Sequence, residues 1–161
     1  MLLDSWKIVS EKHQDWSLSI YGSGDKGLYS EQMKKNRIEK SCHIYDAVPD
    51  LTDKFCESSI FAFSSRFEGF ALVLTEAMSC GLPPVAFSCP CGPKDLITNN
   101  KDGILVTPEN VTELADRICY LIENEELRKE IGKNARETAR KYTIDKLGVH
   151  WDNLFKSLIN S

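Results

Sequence analysis

Glu68 and Glu76, two carboxylates eight positions apart, flank the stretch of this chain whose residue types best suit binding of an anionic ligand. Gly69 follows the first and lets backbone come close to a bound group. Phe70 and Ala71 open a helix, and first-turn N–H groups form an anion site. In an open parallel sheet, ligands bind outside the carboxyl ends of the strands, and Glu68 and Gly69 fall at that edge. Two turns on, Glu76 is able to accept hydrogen bonds from neutral hydroxyls. An anion at a helix start with hydroxyls beside it describes a nucleotide diphosphate with its ribose. A lone acid in a helix usually lies on a solvated face. Here Leu72, Val73, Ala77 and Met78 surround Glu76 and no polar stripe is present for it to join, which favours a ligand role.

Three elements must position these residues. The apolar run Ser59–Ser64 reads as a buried parallel strand. Ala71–Cys80 is apolar almost all round and reads as a buried helix, within which a carboxylate is costly unless paired or hydrogen-bonded. Gly81, Pro83 and Pro84 end that helix, and Pro84–Phe87 reads as a second buried strand. Together they form a βαβ unit.

Glu68-Gly69-Phe70, Glu76-Ala77-Met78 and Gly81-Leu82-Pro83 resemble the E-x7-E signature of retaining glycosyltransferases, most closely family 4 with the GT-B fold. The resemblance continues through Pro90, Gly92, Pro93, Asp95-Leu96-Ile97, Asp102-Gly103 and Leu105-Val106, and upstream through Tyr21-Gly22-Ser23-Gly24. It implies the C-terminal, nucleotide-sugar donor-binding half of such an enzyme: an α/β, Rossmann-like parallel sheet flanked by helices. By the same resemblance Glu76 would hold the ribose hydroxyls. Glu68 would be the catalytic candidate, facing the sugar and diphosphate with Gly69, Phe70 and Ala71, but not as a nucleophile. Gly22 and Gly24 join the donor-binding set, although G-x-G alone reads first as a tight turn. Ala47 and Val48 would touch the base. Ser88 and Asp95 depart from the acid and the Glu that relatives often carry there.

Composition sets the bounds. A chain of 161 residues suggests one domain, 1–161, burying roughly 70% of its unfolded surface. The net charge of −4 argues against general nucleic-acid binding. No apolar run approaches the roughly 18 residues of a membrane span, and no signal-peptide pattern opens the chain. The six cysteines include no C-x-x-C, so reduced buried thiols are expected. His13, His43 and His150 are scattered and no D-x-D occurs, so neither a metal site nor another cofactor is expected.

In chain order, residues 2–13 read as a helix and Ser17–Tyr21 as a strand. A polar helix follows over 27–39, a strand over His43–Val48 and a helix over about 50–57. Arg66 reads as solvated surface. A short helix spans Lys94–Thr98, a last strand Gly103–Val106, and helices about 110–123, 125–131 and 133–141 carry solvated charges. The final helix, about 144–159, has an apolar face of Leu147, Trp151, Leu154, Phe155 and Leu158. The resemblance implies that this face would pack on an N-terminal acceptor domain of the same protein. It also implies a strand before residue 2, with a loop Arg and Lys that grip diphosphate; neither can be placed here. The sheet is therefore expected to lack its first strand, with Ser17–Tyr21 and Ser59–Ser64 either closing on each other or leaving a gap for another chain.

The expected function is thus donor binding for transfer of a hexose or N-acetylhexosamine, from a UDP-linked donor to a glycan or lipid-linked acceptor, as in polysaccharide biosynthesis, without metal. The fragment alone is expected to be inactive. The resemblance places a full-length enzyme in the cytoplasm, and is compatible with peripheral association at the inner face of the membrane. The alternatives are a non-catalytic nucleotide-sugar-binding module of a split GT-B enzyme, or another GT-B activity such as an epimerase or phosphorylase.

Overall fold

The structure is a computed structural model and describes residues 1–159. It is an α/β fold of parallel strands flanked by helices, in the order α1 (Leu2–Lys12), β1 (Leu18–Tyr21), α2 (Lys26–Asn36), β2 (Cys42–Tyr45), α3 (Thr52–Cys56), β3 (Phe61–Phe63), α4 (Leu72–Ser79), β4 (Pro84–Phe87), α5 (Pro93–Leu96), β5 (Ile104–Val106), α6 (Val111–Glu123), α7 (Glu125–Ala139) and α8 (Ile144–Ile159), with a 3-10 turn at Arg140–Tyr142 before α8.

Strand alternation sorts the core into two layers. Val85 and Phe87 of β4 and Ile104 and Val106 of β5 point toward Leu3, Trp6 and Val9 of α1 and Leu114, Ile118 and Leu121 of α6. Ala86 and Leu105 point the other way, to Leu74 and Met78 of α4 and Ala135 of α7. Trp6 is buried with its indole N–H donated to Ser41 Oγ at 3.1 Å, so its polar edge is satisfied.

The strands form two sheets. β1 pairs in parallel with β2, and β3, β4 and β5 form a second parallel sheet in that order. β1 and β3 do not close on each other. Between them lies a cavity of about 620 Å³, lined by both strand edges. β3 is accordingly half-buried, with Phe63 alone buried, where the sequence suggested burial throughout Ser59–Ser64. β2 ends at Tyr45 and not at Val48.

The two helices expected over 125–131 and 133–141 are one, α7. Gly132 between them is not a break. A Cβ on it would lie 2.2 Å from the Gly81 carbonyl oxygen, so the glycine is what lets α7 cross the C-terminal end of α4. Asp102, 2% exposed, fixes α7 to the turn before β5: its carboxylate accepts the Thr98 N–H at 2.6 Å and the Thr138 hydroxyl at 2.7 Å. α8 forms over the expected residues, but none of its described side chains is buried. Cys42, Cys89 and Cys119 are buried thiols, whereas Cys56 and Cys91 are exposed and Cys80 is half-buried, against the expectation that all would be buried.

Candidate functional site

The turn from β3 into α4 carries the densest set of predicted site residues. Ala71, the N-cap of α4, is held at φ 60° and ψ 59°, a left-handed conformation that costs a non-glycine residue roughly 1–2 kcal/mol. Backbone strain of this kind clusters at functional sites. Ala71 is buried, and its carbonyl accepts the Leu74 N–H at 2.9 Å. The N–H groups of Leu72 and Val73, which precede the first intrahelical donor, point out of the helix start. Gly69 has nothing within 4 Å of where a Cβ would sit, so the backbone there is open to approach.

Glu68 is half-buried, and Ser65 donates its hydroxyl to Oε1 at 2.5 Å. Gly92, at φ +61°, packs against Glu68 and Ala71. Burial pushes the Cys89 thiol pKa up, and the nearby Glu68 and Cys91 charges push the same way. The Phe70 ring meets Tyr142 edge to face, 5.5 Å between centroids. Ser65, Cys89 and Tyr142 were not singled out from sequence as site residues. Ser65 had a local signal, a hydroxyl three residues before Glu68; Tyr142 is brought in from more than seventy residues away and had none.

Glu76 is a correction. It is exposed, not buried. α4 is only eight residues long and buries one face, Leu74, Ala77 and Met78. Leu72, counted from sequence as part of an apolar surround, is 67% exposed and shares the outer face with Glu76 and Ser79. Glu76 is therefore not a buried carboxylate in need of a partner, and only the motif points to a ligand role for it. Glu68 and Glu76 do lie on one turn-and-helix unit, with the open helix start between them.

The remaining predicted residues gather at the ends of β1 and β2. Gly22 donates its N–H to the Tyr45 carbonyl at 3.3 Å, and no atom lies within 4 Å of its Cβ position. Gly24 is different: the Tyr29 ring lies 3.2 Å from its Cβ position and covers it. Ala47 and Val48 are exposed in the segment after β2. Lys26, at the start of α2, pairs with Asp46 at 2.6 Å and ties that segment to the turn after β1. Tyr21 and Tyr45 stack, with centroids 4.9 Å apart and planes at 19°. The cavity between β1 and β3 is lined by none of Gly22, Gly24, Ala47, Val48, Glu68 and Gly69. Beside Glu68 there is a second, more open depression, lined by Ser64, Ser65, Arg66, Phe67 and Glu109. Arg66 is exposed.

With this geometry in hand, comparison with known proteins is specific. The sequence model of the family described as Glycosyl transferases group 1 matches residues 1–138. An "uncharacterized glycosyltransferase" of Haemophilus influenzae is 33% identical over 154 residues, 95% of this chain and 44% of its own length. The poly(ribitol-phosphate) alpha-N-acetylglucosaminyltransferase of Staphylococcus aureus is 32% identical over 161 residues, 98% of this chain and 32% of its own length. A crystal structure of a variant of S. aureus TarM, in complex with fondaparinux, alpha-GlcNAc-glycerol and UDP, superposes with a TM-score of 0.90 at 29% identity, over 96% of this chain and 32% of that one. Anabaena HepE in complex with UDP shares the fold at a TM-score of 0.89 and 22% identity, over 97% of this chain and 44% of that one. The chain thus spans less than half the length of these relatives.

Proposed function

The chain belongs to the glycosyl transferases group 1 family, and from that premise we propose that it is the donor-binding half of a retaining, GT-B glycosyltransferase of family 4 that takes a UDP-linked hexose or N-acetylhexosamine. The observation that carries the reading is the β3–α4 turn, where an unobstructed helix start, the open Gly69 backbone and the Ser65-held Glu68 lie together.

The chemistry follows from those parts. The donor diphosphate sits at the α4 N-terminus, where N–H groups and the helix dipole favour negative charge. As the bond from the anomeric carbon to the β-phosphate oxygen breaks, positive character grows on the sugar and negative charge on the leaving diphosphate. Donors already aimed at that oxygen stabilise the charge without reorganising. This gives metal no required part. Glu68, its rotamer set by Ser65 and Gly92, faces the sugar. Glu76 accepts from the ribose hydroxyls as an exposed carboxylate, and Ala47 and Val48 flank the base.

Two supports bear on the finer claims. S. aureus TarM was crystallised with UDP, and the related S. aureus enzyme is named for an alpha product. An alpha product from an alpha-linked UDP donor is retention. The acceptor would approach from a second half of the protein. Phe67, 85% exposed, with Phe70 and Leu72, rings the site with apolar surface suited to being covered, and α8 offers another such face. For the full-length enzyme this reading implies a glycan or lipid-linked acceptor, a cytoplasmic location compatible with peripheral association at the inner face of the membrane, and a role in polysaccharide biosynthesis. The test is a screen of nucleotide-sugar donors with the full-length protein, reading the product anomer by proton NMR. Transfer from a UDP-hexose or UDP-N-acetylhexosamine with the donor's anomeric configuration is the expected result; an inverted product would overturn the retaining reading.

A further inference from the structure

Two cysteines meet where α3 docks on α4. Cys56 is the last residue of α3, and Cys80 caps the C-terminal end of α4. Phe55, the neighbour of Cys56, is buried in a small cluster with Ala77 and Leu82, and Cys80 packs on that same cluster. Phe55 also meets Phe61 edge to face, with centroids 5.7 Å apart. This docking brings the Cys56 and Cys80 thiols within side-chain hydrogen-bonding reach of each other. Cys56 is exposed and Cys80 half-buried, so one thiol is open to a reagent and the other lies behind it. Burial pushes the Cys80 thiol pKa up, the Ser79 hydroxyl opposes that, and Cys56 adds to it. Arg136, whose Nε donates to the Ser79 carbonyl at 3.1 Å, holds a cation alongside, which favours the thiolate. Cys42, Cys89 and Cys119 are buried, and the exposed Cys91 has only buried Cys89 two residues away.

We infer that Cys56 and Cys80 form a reversible disulfide that staples α3 to α4, with a low-molecular-weight disulfide as the oxidant. The exposed Cys56 thiolate attacks one sulfur of the small disulfide and releases the other half as a thiolate. Cys80, as thiolate, then attacks Cys56 Sγ and displaces the second half. Two protein thiols are oxidised, one small disulfide is reduced to two thiols, and the two protons pass to the departing thiolates. The staple acts where the fold is weakly held. α3 has five residues, of which only Phe55 is buried, and a helix so short does not sustain itself. Residues 46–50 before it are exposed. The position of α3 on α4 thus depends on one apolar anchor, and a covalent link beside that anchor fixes both α3 and the segment carrying Ala47 and Val48. The link itself does not rest on the donor reading.

The test treats the full-length protein with oxidised glutathione, natively and in urea, and maps the products by mass spectrometry. Trypsin separates the two thiols, on residues 55–66 and 67–94, and fragment ions tell Cys80 from Cys89 and Cys91. The expected native product is the Cys56–Cys80 link, reversed by dithiothreitol. Its formation should slow amide exchange in α3 by at least about tenfold and leave β4 unchanged. Cys80→Ser should stop the reaction with glutathione held on Cys56 and no slowing in α3; Cys56→Ser should give neither product. Stable glutathione on Cys56 of the native protein with Cys80 reduced would overturn the inference. So would no reaction at Cys56, a link from Cys56 to any other cysteine or to a second copy, or a link that forms as readily in urea, which would owe nothing to the docking of α3 on α4.

Discussion

Gly92 and Glu68 pack so closely that a Cβ on Gly92 would lie 3.0 Å from the Glu68 Cβ, and 3.1 Å from that of Ala71. Gly92 also holds φ +61°, so a side chain there is both crowded and strained. Gly92→Ala should destabilise the domain by about 1–3 kcal/mol and shift Glu68 off Ser65. Urea unfolding measures the first effect, and loss of UDP affinity in the full-length protein under native conditions the second.

Gly132→Ala is expected to be costly for a different reason. The added methyl meets the Gly81 backbone carbonyl at 2.2 Å, and overpacking of this kind costs about 1–3 kcal/mol. Gly148, in α8, has open space around it, so Gly148→Ala should stabilise that helix by about 0.5–1 kcal/mol. Denaturant midpoints for the two variants should move in opposite directions.

Asp102→Ala removes the acceptor shared by Thr98 N–H and Thr138 Oγ1. Leaving a buried donor unpaired costs about 1–3 kcal/mol. The expected outcome is a lower midpoint, with faster exchange confined first to the turn before β5 and the end of α7.

Acid stability should carry a signature of Asp4. The Asn36 amide, then the N-terminal ammonium and Gln32, lower its carboxyl from 3.8 to about 2, against burial, which acts the other way. A depressed acid stabilises the fold above its unfolded pKa and loses that contribution as pH falls. The loss should span roughly pH 4 to 2 and, because the side chain is 43% exposed, amount to only about 1 kcal/mol after screening. Asp4→Asn should flatten the stability profile in that window.

How much of this was legible in the sequence differs by element. Pro84–Phe87 was placed to the residue because a short apolar run between Pro and Ser has one reading. The βαβ unit and the clustering at Glu68 followed from glycine and proline punctuation. The exposure of Glu76 did not, because a helix of eight residues with an apolar surround can still leave Leu72 and Glu76 in solvent; composition cannot say which side a neighbour covers. Gly132 misled for the same reason: read alone it breaks a helix, and only the Gly81 carbonyl opposite explains it. Gly92 was in the right motif, but its contact with Glu68 depends on loops meeting across twenty-odd residues.

If the β3–α4 turn holds the donor, UDP binds there. Titration of UDP into the full-length protein, by calorimetry and amide chemical shifts, tests it most directly. Binding should be the same with and without EDTA, with the largest shifts at Gly69–Val73. Glu76→Ala should weaken binding by about 1–2 kcal/mol without moving the urea midpoint, because Glu76 is exposed. UDP affinity unchanged in Glu76→Ala, with shifts confined to residues away from this turn, would contradict it.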